Sequence, residues 1–228
     1  MEPHYGWPKL SDFKITIIST ILINLAEKFM KLFTWRYFYA VCKEKHDLVV
    51  RYDKTVKACH SFFDMFYYTL MGIWGYIVLK DAYYLPHYLG GAGDMDLSTQ
   101  DYPIHPWPNG FKLYFLSSLG YHVHSLIAHL RAKKRNDFIE MFLHHNLAIF
   151  LMIFSYLANF TVAGSIICFL HDIADIFTAG VRCFTETTLL TPTIINGVGM
   201  TISWFYTRIY AFPFVIYKTA FKHDYFEG

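Results

Sequence analysis

The chain has 228 residues, of which 54% are apolar, 20% aromatic and only 17% charged, and its net charge is +2. That composition argues against an ordinary soluble domain, and so small a charge implies no nucleic-acid partner. The apolar residues instead gather into stretches near the length of about 20 residues that crosses a bilayer. The expected class is an all-α integral membrane protein with membrane lipids as its surroundings.

About six transmembrane helices are predicted in chain order. The first, Ile15 to Tyr37, is interrupted by Glu27, Lys28 and Lys31, so it is expected to lie partly in the interface with its lysines snorkelling. The second runs from Phe62 to Leu79 with Asp64 near its start. The third covers Phe111 to Leu130, the fourth Phe138 to Tyr156 and the fifth Val162 to Phe184. The sixth, Ile194 to Tyr217, contains Arg208 and Pro213. A Gly-, Pro- and Tyr-rich loop from Lys80 to Gly110 reads as an irregular cap. Only a few residues around Asn159 join the fourth and fifth helices, which makes them antiparallel neighbours. The loop Lys43 to Lys57 holds five Lys or Arg, and RAKKR, Arg131 to Arg135, holds four more. Both fall on one side, which the positive-inside rule makes cytoplasmic or matrix-facing. RAKKR is also a candidate dock for anionic headgroups or for the phosphates of an acyl-CoA. No presequence, cleavable signal or C-terminal retrieval signal is visible, so targeting information is expected to be internal.

The polar residues inside these stretches carry the chemistry, because an ionisable group at mid-membrane costs about 2.5–3.5 kcal/mol. FLHHNLAIF places His144 and His145 side by side. In HDIAD, His171 and Asp175 are four residues apart, and Asp172 and Asp175 three, so one helix face presents an imidazole and two carboxylates. The tight hairpin of helices four and five is expected to bring this face within reach of the histidine pair. A carboxylate that orients an imidazole suits a general base or a nucleophile. His122 and His129, seven apart on the third helix, share a face with Ser118 and Ser125. With His124 they also fit a plainer role as interhelical hydrogen-bonding groups. Asp64 and Glu140 read as solvated groups near helix starts. A zinc or iron site is the weaker reading, since the chain has one HH and no HxxHH box, and no metal is expected. Cys42, Cys59, Cys168 and Cys183 have no metal spacing and read as reduced thiols.

The stretch RNDFIEMFLHHNLAIFLMIFSYLANFTVAGSIICFLHDIADIF resembles the longevity-assurance motif of ceramide synthases within the TLC domain family. The matching positions are His144 and His145, Ser155-Tyr156, Asn159, Gly164, His171-Asp172 and Asp175. KACHSFFDMFYY, YPIHPW with LYFLSSLGYH, and WFYTRIYAFP are similar to further family segments. The resemblance implies a TLC-type helical bundle over residues 57–228, after an N-terminal segment 1–56 that carries the weak first helix and the basic loop. It also implies acyl-CoA-dependent N-acylation of a sphingoid base, with no cofactor and with acyl-CoA as substrate. His144, His145, His171, Asp172 and Asp175 would be catalytic. Ser155, Tyr156, Asn159, Arg208, His122 and His129 would line the substrate path.

The sequence departs from the family pattern at Ala148, Val162 and Phe63-Asp64, and a last membrane helix of the family is expected to be missing. A partner chain would then close the open side of the bundle. This supports a second reading, a catalytically silent accessory subunit of a larger membrane complex. The family implies the endoplasmic reticulum, and the subunit reading the mitochondrial inner membrane.

Overall fold

The computed structural model of the chain describes residues 6–99, 102–132 and 136–221. Their regular structure is helical, apart from two isolated bridges, Cys42 to Thr187 and Pro86 to Gly93. The α-helices are α1 (Lys14–Val41), α2 (Leu48–Leu79), α3 (Phe111–Arg131), α4 (Phe138–Leu157), α5 (Thr161–Phe184), α6 (Leu190–Trp204) and the short α7 (Phe212–Ile216). π-Helical segments, Phe205–Ala211 and Tyr217–Phe221, flank α7.

Among the described residues, α2, α4 and α5 are long and apolar enough to cross a membrane. On α4 the side chains of Leu143, Leu147, Phe150, Leu151 and Phe154 recur at helical spacing, and each is more than half exposed. A continuous apolar stripe of that kind is unfavourable in water and is what lipid tails solvate. The protein is therefore an integral membrane protein.

The expected start of the second helix is corrected by fourteen residues. α2 begins at Leu48, because Asp47 caps it: its Oδ1 accepts the amides of Val49 at 2.9 Å and Val50 at 3.0 Å. This is the usual way to satisfy orphan donors at a helix N-terminus. The first half of α2 is amphipathic, with Thr55, Ala58, Cys59 and Phe63 buried along one side. Its charges mask that periodicity in a plain apolar count. As a consequence Asp64 lies mid-helix and buried, not solvated at a helix start.

The chain divides into two compact units. The first comprises Met1–Asn24, Trp74–Cys168 and Phe214–Gly228. Its core holds Tyr84, Leu85, Phe111, Tyr114, Phe115, Tyr156 and Ile166, all almost fully buried. The N-terminal part of α1 packs on α3 at Gly120, where a Cβ would collide with Ser19 Oγ and the Thr16 carbonyl. Close approach lets Thr16 Oγ1 donate to the Leu116 carbonyl at 3.2 Å and Thr20 Oγ1 to the Gly120 carbonyl at 3.0 Å. Small residues and hydroxyls joining helices in this way suit an apolar solvent, where burying more hydrocarbon gives no drive to associate.

The second unit comprises Leu25–Ile73 and Phe169–Pro213. Phe38, Ala58, Cys59 and Cys183 form a buried cluster, covered by Trp35, Val41, Phe62 and Phe184. The four cysteines are free thiols. Two loops close this unit. The Lys43 amide donates to the Glu186 carbonyl at 3.0 Å, and the Thr188 amide to the Val41 carbonyl at 2.8 Å. Lys57 Nζ meets Glu186 Oε1 at 2.7 Å and Lys54 Nζ meets Oε2 at 3.6 Å. Partial burial alone would raise the Glu186 carboxyl, but Lys57 and Lys54 outweigh it and hold the group below its ordinary value.

Candidate active-site residues

In the first unit α4 carries the histidine pair. The ring centroids of His144 and His145 are 5.6 Å apart, and that of His145 lies 5.7 Å from His129 on α3. His129 is fixed in turn: its Nε2–H donates to the Phe138 carbonyl at 3.0 Å, and its ring stacks on Phe138 at 4.6 Å. The row His129–His145–His144 thus runs from a half-buried anchor to an exposed ring. His122 lies against the Tyr121 ring. His124 is buried, as is Ser118.

The motif residues between the pair and α5 bind the protein to itself. Tyr156 is fully buried, and its hydroxyl donates to Asp12 Oδ2 at 2.7 Å. Asp12 also accepts the Lys9 amide at 3.0 Å and pairs with Lys112 Nζ at 3.0 Å. Burial pushes the Asp12 carboxyl up, yet the bonds from Tyr156, Lys112 and Lys9 hold it below its ordinary value. Asn159 takes the left-handed conformation that ends α4, at φ 57°, a role that Asn fills more readily than most residues. Its Oδ1 accepts Trp107 Nε1–H at 3.1 Å, and its Nδ2 donates to the Pro103 carbonyl. Its own carbonyl accepts His105 Nε2–H at 3.0 Å. Gly164 lets α5 return against α4, since a Cβ there would collide with Ser155 Oγ, which donates to the Phe160 carbonyl at 2.8 Å. An open groove of about 580 Å³ in the cap loop, lined by Tyr83, His87, Tyr88 and Asp94 among others, contains none of the motif residues.

In the second unit α5 carries HDIAD. Asp172 and Ala174 are buried, while His171 and Asp175 are half-buried. The His171 ring packs edge-on against Phe212 at 5.6 Å. Arg208 Nη2 donates to Asp175 Oδ1 at 3.3 Å. Arg208 comes from the π-helical segment, where the wider turn redirects side chains and often marks a functional position. Its Nε is buried and has no hydrogen-bond partner, which leaves one guanidinium donor for an anionic or carbonyl oxygen. A carboxylate held by one guanidinium arm, beside an imidazole on the same helix face, can orient that imidazole and stabilise its charged form.

Two charged residues of this unit were read differently in the sequence. Glu27 does not stand alone in its apolar run; its Oε1 meets His60 Nδ1 at 2.7 Å. His60 in turn faces Asp64, with Nε2 to Oδ2 at 3.6 Å. The available signal was the lone acid in ILINLAEKF, which needs a partner if it faces inward. Lys133 to Arg135 of RAKKR, and the C-terminal residues after Phe221, lie outside the described residues. Among the described residues no group of three or more His, Cys, Asp or Glu is placed to hold a metal ion.

Comparison with known proteins agrees with this arrangement of motifs. A family model for the TLC domain matches residues 57–228. Ceramide synthase hyl-1 of Caenorhabditis elegans is 29% identical over 171 residues, 74% of this chain and 44% of that protein. Ceramide synthase LOH2 of Arabidopsis thaliana is 30% identical over 173 residues, 73% of this chain and 54% of that protein. ASC1-like protein 3 of rice is 28% identical over 224 residues, 92% of this chain and 74% of that protein. The chain thus spans about half the length of these two ceramide synthases. With three quarters of its residues inside the family match and the histidine pair and HDxxD both in place, the chain belongs to the TLC domain family and is of its ceramide synthase type.

Proposed function

We propose that this protein transfers a fatty acyl group from acyl-CoA to the amine of a sphingoid base, forming ceramide in the endoplasmic-reticulum membrane. The TLC domain of residues 57–228 carries the reaction, and the chain crosses the bilayer about six times. His171 serves as general base toward the amine, with Asp172 and Asp175 fixing its orientation and charge. His144 and His145 act as base or as transient acyl carrier. The spare Nε–H of Arg208 is suited to a developing oxyanion, where a preorganised donor acts most strongly.

The observation that carries this reading is the Asp175–Arg208 bond at 3.3 Å. It places a paired carboxylate and an unused donor on the HDIAD side of α5. The test is ceramide formation by the purified full chain in lipid, from acyl-CoA and sphinganine, followed by mass spectrometry. Wild type is expected to form product, and His144→Ala and His171→Ala to abolish it. Product that survives both changes ends the assignment. No product from well-folded wild type is the outcome expected of a catalytically silent accessory subunit held in a larger membrane complex.

A further inference from the structure

The cap loop carries a groove outside the residues assigned to the reaction. Its volume is about 580 Å³, and Tyr83, His87, Tyr88, Asp94 and Leu97 are among the residues that line it. That lies within the range of about 300–1,000 Å³ that bound small molecules occupy. Backbone bonds fix its walls. The Gly93 amide donates to the Leu85 carbonyl at 2.8 Å, the Asp94 amide to the Tyr83 carbonyl at 2.8 Å and the Gly91 amide to the Pro86 carbonyl at 3.2 Å. The rings are held as well: Tyr83 packs edge-on with Tyr84 at 5.1 Å, and Tyr88 with Phe214 at 5.7 Å.

The carboxylate and the imidazole in this lining are uncommitted. Asp94 Oδ1 accepts the Asp96 amide at 2.9 Å, which orients the carboxylate, and no cation pairs with it among the described residues. Its neighbour Asp96 is instead paired with Lys218. His87 is exposed, and its imidazole makes no hydrogen bond or ion pair among the described residues. From Asp81 to Leu97 the sequence holds three Asp and no Lys or Arg, so the groove favours a cation. Tyrosine ring faces beside a carboxylate suit a quaternary ammonium, which brings methyl groups and positive charge together and has no N–H to satisfy. A primary ammonium must place three N–H donors, which ring faces serve poorly. The His87 imidazole adds an N–H for an anionic oxygen. Sites for a cation and an anion in one groove match a zwitterion.

The groove also sits at the depth of lipid headgroups. Tyr76, in the last turn of α2, donates from its hydroxyl to the Gly90 carbonyl of the loop at 3.3 Å, and α2 is long and apolar enough to cross the membrane. Leu97 in the lining and Ile77 at the end of α2 are both exposed, so the tails of a lipid held here have hydrocarbon to lie against. We propose that the cap groove binds the phosphocholine headgroup of a membrane phospholipid, with the trimethylammonium against Tyr83, Tyr88 and Asp94 and the phosphate at His87. The occupant is a resident lipid and not a reactant, and the site stands independently of the acyl-transfer reading.

The test uses the full chain in nanodiscs of equal parts phosphatidylcholine, phosphatidylethanolamine and phosphatidylglycerol with matched acyl chains. Lipids that stay bound when the disc is opened are counted by native mass spectrometry. Wild type is expected to retain phosphatidylcholine in preference to the other two. Asp94→Asn keeps an acceptor for the Asp96 amide and so spares the loop; it and Tyr88→Leu are each expected to lower that retention about tenfold, and His87→Ala by a smaller factor. A second arm needs no variant: phosphatidylcholine labelled with ¹³C in its choline methyls is expected to show an immobilised fraction, by solid-state NMR, in contact with tyrosine rings. Equal retention of the three lipids, or a preference for phosphatidylethanolamine, overturns the proposal. So does a phosphatidylcholine preference that survives Asp94→Asn in protein with a wild-type melting temperature. Should Tyr88→Leu fail to fold, Asp94→Asn and the NMR arm decide, and choline methyls that are all mobile count against the site.

Discussion

The two units handle buried polar groups in different ways. In the first, Tyr156, Asn159, Trp107 and His105 spend their hydrogen bonds on one another, on backbone carbonyls and on Asp12, tying a loop and a helix turn to the core. In the second, Asp175, Arg208, Glu27, His60 and Asp64 are charged or titratable, and Arg208 keeps a donor free. A motif that is continuous in sequence is thus divided in duty: its Tyr and Asn build, and its His and Asp remain able to exchange protons or meet an anion. His144 and His145 are the exception in the first unit, since they lie with His129 in a row of tilted imidazole rings.

The sharpest way to break this contrast is to mutate across it. His171→Ala is expected to abolish amide formation, and Asp175→Asn to lower it by about 10²–10⁴-fold, both with little change in melting temperature. The measurement is kcat beside a thermal melt in the same lipid. Asn159→Ala should do the reverse. It strips partners from the Trp107 indole and the Pro103 carbonyl and puts a Cβ-bearing residue without a compensating amide at φ 57°. The expected cost is about 2–4 kcal/mol, and whatever folded protein remains should keep normal turnover per molecule.

Smaller effects refine the picture. Gly120→Ala forces α1 away from α3 at Ser19 and the Thr16 carbonyl, at about 1–3 kcal/mol; Ser19→Ala in the same chain should recover only part of it, because the backbone carbonyl still obstructs. The smallest belongs to Glu186. Its folded carboxyl lies below the ordinary value of 4.5, so its contribution is present above that pH and fades as pH falls through the folded value. Glu186→Gln should cost no more than about 1 kcal/mol at neutral pH, and the gap between mutant and wild-type melting curves should close on acidification below pH 4.5. A gap that widened in acid would show that Lys57 and Lys54 have another acceptor.

Much of the fold was legible because the signals are local. Apolar runs locate α3, α4 and α5 to within about two residues at their ends, since a backbone in lipid must satisfy its bonds internally as helix. The connector around Asn159 was legible because the apolar runs of α4 and α5 nearly abut there; its left-handed conformation came only with the structure. The first half of α2 was not legible as helix, because its charges sit on the exposed face and dilute an apolar count; the capping Asp47 was the missed sign. Asp64 was consequently assigned to a helix start.

The sequence by itself determined the class, the family and the order of the chemical groups, because hydropathy and motif spacing are properties of the chain read along its length. The tertiary structure alone decided the partners. That Tyr156 reaches Asp12 144 residues away, that Glu27 reaches His60, and that a π-helical turn aims Arg208 at Asp175 depend on helix rotation and register. Those are set by how neighbouring helices pack, and a linear pattern does not encode them.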